Sequence, residues 1–250
     1  MSVAGNGERH WLASDVTTTE SSVFSSFERI VSLQGEAVNA SRMSYLKRVT
    51  FDGKVYYVKV YHLAGRYLRR FLGRSRVAAE WQNQRYFESL KVPTARVVAF
   101  AETQDRRGAI VTEEVTDSVD LWTLAQQSPH VFNDRRWCAQ VIWKLANHTR
   151  SLHDAGFIHF DLKWRNILVT KVDPDVRIID CPLGRRFRKS ALLYRRGVIK
   201  DLACLDRVAR FYVSRSQRLR FFLYYRKHST LTADDKRLLR AVLRFFRGRR

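Results

Sequence analysis

His159-Phe160-Asp161-Leu162-Lys163-Trp164-Arg165-Asn166, running into Ile167-Leu168-Val169 and followed by Ile178-Ile179-Asp180, decides how this chain is read. Asp161 is a carboxylate able to take the proton of an attacking hydroxyl. Lys163, two residues on, can neutralise a transferring phosphoryl group. Asn166, five residues on, offers a neutral oxygen. Asp180 follows the apolar run Val176-Arg177-Ile178-Ile179, as a carboxylate at a strand end should. Together Asn166 and Asp180 suit magnesium, which takes few protein oxygens and completes its shell with phosphate and water. A single Asp or Asn in a loop is usually a turn residue, but that does not account for the whole string. Ile167-Leu168-Val169 reads as the strand that fixes the loop to the core.

Phosphoryl transfer depends on positioning and charge neutralisation, so a further cation and its holder are expected upstream. Lys59 lies in Tyr56-Tyr57-Val58-Lys59-Val60. Lys54–Tyr61 and Tyr45–Val49 read as strands joined by a Phe51-Asp52-Gly53 turn. Val55, Tyr57 and the stem of Lys59 share one face; Val58 and Val60 share the other. Taken alone, Lys59 is a surface lysine. Glu80, in Ala78-Ala79-Glu80-Trp81, sits on the helical pattern Ser75–Leu90 that Pro93 closes. Taken alone, it is a solvated glutamate. In this order and spacing the residues resemble the protein-kinase-like enzymes. The resemblance implies a catalytic role for Asp161 and Lys163, ATP binding by Lys59 and Glu80, and metal binding by Asn166 and Asp180.

The rest of the chain is consistent with an α+β, protein-kinase-like bilobal fold: a small antiparallel-sheet N-lobe and a mainly helical C-lobe. Residues 1–22, rich in Ser, Thr and Gly, read as a flexible tail; 23–117 as the N-lobe; 118–250 as the C-lobe. Arg29–Leu33 alternates like a strand, and Gln34–Ala37 reads as a turn. Val97–Phe100 and Ala109–Thr112 read as two short strands. Trp137–Ala155 is a helical pattern with Gly156 at its end. Lys200–Val213 and Thr232–Phe246 follow, the last opened by Thr232-Ala233-Asp234-Asp235.

The 250 residues are 45% hydrophobic, enough for a core, so wholesale disorder is excluded. No apolar run has the length of a spanning helix, and the start of the chain lacks the apolar segment of a secretory signal. A cytoplasmic location is therefore expected. Cys138, Cys181 and Cys204 read as free thiols. The net charge of +22 suits a polyanionic partner. No recognised nucleic-acid motif accompanies that charge, so nucleic acid is not the expected partner. Oligomeric state is not legible.

Several departures from regulated protein kinases narrow the reading. Phe160 stands where those enzymes carry an arginine that pairs with a phosphorylated loop. Cys181-Pro182 follows Asp180 in place of Phe-Gly, and no Ala-Pro-Glu follows. Gln34-Gly35-Glu36-Ala37-Val38-Asn39 is a poor glycine-rich loop. From about Lys47 onward the chain resembles the lipopolysaccharide kinase family, bacterial enzymes that phosphorylate inner-core heptose or Kdo. The residues are Val58-Lys59-Val60-Tyr61, Glu80-Trp81, the His159–Asn166 loop, Ile179-Asp180 and Lys200-Asp201-Leu202-Ala203. The resemblance implies ATP and Mg2+, a lipid-linked core oligosaccharide as substrate, and peripheral work at the inner face of the inner membrane. It also implies that Asp201 braces the loop backbone. His159 is expected to pack and hydrogen-bond under the loop. The helix 232–246 reads either as packed with a solvated basic face or as an interfacial helix. Competing readings are an atypical small Ser/Thr kinase or antibiotic phosphotransferase, and a non-catalytic pseudokinase or polyanion-binding module.

Overall fold

The turn expected at Asp52-Gly53 forms, with both residues at positive φ (50° and 71°). This left-handed pair matches the strand twist and sets the register on either side. The computed structural model describes residues 2–3, 7–62 and 73–247. The chain divides into two compact units, Met1–Arg85 with Ala95–Thr116, and Tyr86–Thr94 with Asp117–Arg250.

The first unit holds β1 (Ser2–Val3), β2 (Arg9–Leu12), α1 (Thr18–Val23), α2 (Phe27–Ser32), β3 (Glu36–Ala40), β4 (Ser44–Phe51) and β5 (Lys54–Tyr61). It also holds most of α3 (Arg76–Ser89), with β6 (Val97–Glu102) and β7 (Gly108–Glu113). The strands form one antiparallel sheet in the order β1-β2-β6-β7-β5-β4-β3. Alternation in β5 buries Tyr56, Val58 and Val60 on one face, with Phe24, Phe27 and Ile30 packed over them.

Two expectations for this unit are corrected. Residues 7–22 are not part of a flexible tail, because β2 pairs with β6 and α1 is tied to the sheet through Glu20 and Tyr56. Thr17 and Glu20 form a capping box on α1, and the Tyr56 hydroxyl donates to the buried Glu20 at 2.6 Å. Residues 29–32 are helical rather than extended, and Leu33 is the C-cap. Ser26 caps α2, and Phe27 and Ile30, three apart, share its buried side. The Lys47 ammonium is buried and donates to the carbonyls of Val31 and Leu33 at the end of α2. Gly35 is needed for close approach, since a Cβ there would lie 2.4 Å from the Arg48 carbonyl oxygen.

The second unit comprises β8 (Ser118–Asp120), α4 (Leu121–Gln127), α5 (Arg135–Asp154), β9 (Phe157–Ile158), β10 (Ile167–Thr170) and β11 (Val176–Ile178). It continues with β12 (Arg185–Arg186), α6 (Leu192–Tyr212), α7 (Arg215–Arg226) and α8 (Ala233–Arg244). β10 lies between β11 and β8, so Ile167 and Val169 face a core built on Trp137, Val141, Leu145 and Trp164. Helix α6 begins at Leu192, eight residues before the expected Lys200. α7 was not anticipated; its Phe-Phe-Leu-Tyr-Tyr run hides a helical period. α8 buries Val242 with Leu238, Leu239, Phe245 and Phe246 packed beside it, so its apolar stripe is spent in the protein. That corrects the interfacial reading of this helix.

Asp235 anchors α8. It is fully buried and accepts from Arg226 Nε and His228 Nδ1, both at 2.6 Å, and from the Thr232 hydroxyl at 2.8 Å. These donors hold its carboxyl far below the usual range despite burial. Asp235→Ala takes the carboxylate from a half-buried guanidinium and removes half the capping box, so it should cost about 2–3 kcal/mol in urea unfolding. His148 carries the clearest acid sensitivity. Burial pushes its imidazole down to about 4, with Asp175 opposing and Lys144 assisting. The unfolded chain takes up that proton first, so stability is intact above about pH 6.5 and falls as pH drops toward 4. Between pH 7 and pH 5 the loss at this residue should be roughly 1–2 kcal/mol, and His148→Gln should flatten that part of a stability–pH curve.

Candidate functional site

Lys59 and Glu80 meet in the first unit. Lys59 lies in the middle of β5, opposite Leu46 on β4 and Ile110 on β7. Its ammonium lies 3.1 Å from Glu80 Oε2 and 5.1 Å from the centre of the Tyr61 ring. Glu80 is not the solvated glutamate a helix usually carries. It is buried, and it accepts from the Tyr61 hydroxyl and from Gln84 Nε2 at 3.4 Å. A carboxylate held by several donors in a dry setting is a fixed anchor, and it fixes the cation paired with it.

Asp161, Lys163, Asn166 and Asp180 are gathered in the second unit. Leu162 is fully buried and pins the loop from below. Trp164, not anticipated as an anchor, donates its indole N–H to the Leu205 carbonyl at 3.0 Å and stacks on Phe132. The Lys163 ammonium lies 2.6 Å from Asp161 Oδ2. Asn166 Nδ2 donates to the Asp161 carbonyl at 2.9 Å and to Oδ2 at 3.3 Å. Both bonds use the amide nitrogen, so the side-chain oxygen of Asn166 takes no part in them. Ile179 N–H donates to the Asn166 backbone carbonyl at 3.0 Å, which sets Asp180 beside the loop. Asp180 is left-handed, with φ of 58°, a conformation aspartate tolerates better than most residues.

The backbone before Asp161 is also left-handed. Phe160 has φ of 65°, strained for an aromatic residue. Asp201, fully buried on α6, holds it. One carboxylate accepts from the His159 N–H and the Phe160 N–H, both at 2.8 Å. His153 Nε2 lies 3.3 Å from the same carboxylate, and its Nδ1 lies 2.8 Å from the Tyr225 hydroxyl. The expected brace is therefore present, although Asp201 sits well inside α6 rather than early in it. His159 packs beneath the loop as expected. It is buried, its Nδ1 accepts from the Asp161 N–H at 3.3 Å, and burial holds its imidazole in the neutral form.

The donor set fits magnesium with a nucleotide phosphate. In the second unit Asn166 and Asp180 could supply hard oxygens; in the first, Lys59 is a cation held by Glu80. Among the described residues no three His, Cys, Asp or Glu side chains form a metal cage of their own. A site with so few protein ligands leaves the remaining positions to phosphate and water. The weak glycine-rich loop at Gln34–Asn39 is displaced, since Glu36–Ala40 is strand β3. The hairpin turn falls at Ser41–Met43, where the Ser41 hydroxyl oxygen accepts from the N–H groups of Met43 and Ser44 at 3.2 and 3.1 Å. A serine-organised turn lacks the glycine pattern that would have marked it.

The sequence model of the Lipopolysaccharide kinase (Kdo/WaaP) family matches residues 28–240. The chain belongs to this family. Its structure resembles "WaaP in complex with acyl carrier protein", with a TM-score of 0.73 and 23% identity over 95% of this chain and 97% of that one. The fold is thus the kinase-like fold of WaaP. No curated protein matches the sequence. As a lipopolysaccharide kinase the protein is a phosphotransferase acting on a sugar hydroxyl of the lipopolysaccharide core. The family therefore decides against the antibiotic-phosphotransferase, protein-kinase and non-catalytic readings. No helix among the described residues is long and apolar enough to cross a membrane.

Asp201→Ala leaves one buried and one half-buried N–H group, and a buried histidine, without their acceptor. It should cost about 3–5 kcal/mol in denaturant unfolding. Asp201→Asn, which keeps one acceptor oxygen, should lose less stability but still lower kcat more than it raises KM for ATP.

Proposed function

We propose that this lipopolysaccharide kinase transfers the terminal phosphoryl group of ATP to a heptose or Kdo hydroxyl of the inner core, with the six residues above as its working groups. The observation that carries the reading is the Asp161–Lys163–Asn166 cluster. It holds one carboxylate in place while leaving an amide oxygen for a cation.

Asp161 orients the acceptor hydroxyl and takes its proton as the new phosphorus–oxygen bond forms. Lys163, already beside that carboxylate, faces the charge on the moving phosphoryl group. Lys59, held by Glu80, grips the nucleotide phosphates. Asn166 and Asp180 would hold magnesium, whose charge would neutralise that of the nucleotide phosphates. A basic surface suits an acceptor bearing carboxylates and phosphates. We place the protein in the cytoplasm, in peripheral contact with the inner face of the inner membrane, where its lipid-linked acceptor is presented. The relative was solved with acyl carrier protein, and a carrier protein is a candidate partner here as well.

Asp161→Ala should keep its melting temperature and lose about 10²–10⁴-fold in radiolabel transfer from ATP to purified core lipopolysaccharide. Wild-type turnover in that variant contradicts the assignment. Mass spectrometry of the core from cells lacking the protein should show one phosphate missing from one defined sugar.

A further inference from the structure

Between Asp180 and Asp201 the chain carries seven Arg or Lys residues and no acid. In the middle of this stretch α6 begins with Leu192 and Leu193, which are 86% and 62% exposed. Single exposed leucines are ordinary on protein surfaces, but an adjacent pair this bare is not a packing accident. Arg188 and Lys189 precede the pair, and Arg195 and Arg196 follow it, all four exposed. Among the described residues none of these four has an ion-pair partner, whereas Arg218, Arg226 and Arg237 on α7 and α8 are each paired with an aspartate. Ala191, at the N-cap of α6, makes no side-chain cap, so the first amides of the helix add to the positive potential there.

The presentation is firm. The Tyr194 hydroxyl donates to the His153 carbonyl at 2.8 Å. Gly197 lies against Ile158 so closely that a Cβ would come within 2.7 Å of it. The leucines are thus held outward on a fixed turn. α8, by contrast, buries its own apolar stripe.

We infer that the start of α6 is a membrane-docking point, in which Leu192 and Leu193 enter the acyl region of an anionic bilayer while the flanking cations meet its phosphates. The occupant follows from the chemistry. Two protruding aliphatic side chains match a deformable acyl layer, and unpaired cations on both sides match a sheet of negative headgroups. The inference rests on the lipid-linked acceptor proposed above and names the surface that reaches it.

The test is co-sedimentation of the full chain with phosphatidylethanolamine–phosphatidylglycerol vesicles, and with phosphatidylcholine vesicles as control. The wild type should bind the anionic vesicles only. The L192S/L193S double variant should keep its melting temperature and its affinity for ATP with magnesium, and lose at least about tenfold in vesicle binding. R195Q/R196Q should lose about fivefold per charge at low salt, with the difference shrinking as salt rises. Unchanged vesicle binding in both variants overturns the inference. So does a loss seen only in binding to acyl carrier protein, which would make the surface a protein dock. If docking behaves as expected but no core sugar is phosphorylated, the proposed reaction falls while the docking point stands.

Discussion

The second unit depends on one buried carboxylate. Asp201 takes the N–H groups of His159 and Phe160 together and so keeps Phe160 in a conformation that an aromatic residue does not adopt unaided. The left-handed turn makes the chain double back just before Asp161. Without it, the Asp161 carboxylate would not lie where Lys163 and the Asn166 amide both reach it. The site thus rests on a long-range contact between a loop and the interior of α6, forty residues later. His153 and Tyr225 extend the same network into α5 and α7. Loosening any of these helices should be felt at the loop before it is felt in the core.

Charge is divided according to use. Where cations must be fixed, each is given a buried or half-buried carboxylate: Lys59 with Glu80, Arg226 with Asp235, Arg218 with Asp206. Where cations face solvent between Asp180 and Asp201, no acids are supplied. The first arrangement gives geometry, because a paired and hydrogen-bonded ion has one place to be. The second gives long-range attraction, which needs no fixed geometry and is weakened by salt. A net charge of +22 would be a liability for compactness if it were spread evenly. Spending it on exposed stretches avoids that cost.

The sequence made the kinase-like site legible because its residues are local. His159 to Asn166 is one short string, and the Lys59 strand and Asp180 strand end each announce themselves by alternation. It also showed the Asp52-Gly53 hairpin and the Thr232 cap, where turn chemistry is strict. What it hid was set by distant partners. Glu20 looked like part of a loose polar tail until Tyr56, thirty-six residues on, gave its carboxylate a donor. Residues 29–33 alternate like a strand, yet the Ser26 cap and the packing of Phe27 and Ile30 make all but Leu33 helical. α7 has aromatic and arginine residues in runs, and only its contact with α5 and α6 orders them. Burial of Glu80 likewise could not be seen from a helix with little sequence amphipathicity.

The central claim is that Asn166 and Asp180 hold the metal beside Asp161. A crystal structure with magnesium and a non-hydrolysable ATP analogue tests it directly. The Asn166 amide oxygen and an Asp180 carboxylate oxygen should lie about 2.0–2.1 Å from the ion, with phosphate and water completing an octahedron. A nucleotide bound with its magnesium on other residues, or with Asn166 turned away from it, would contradict the account.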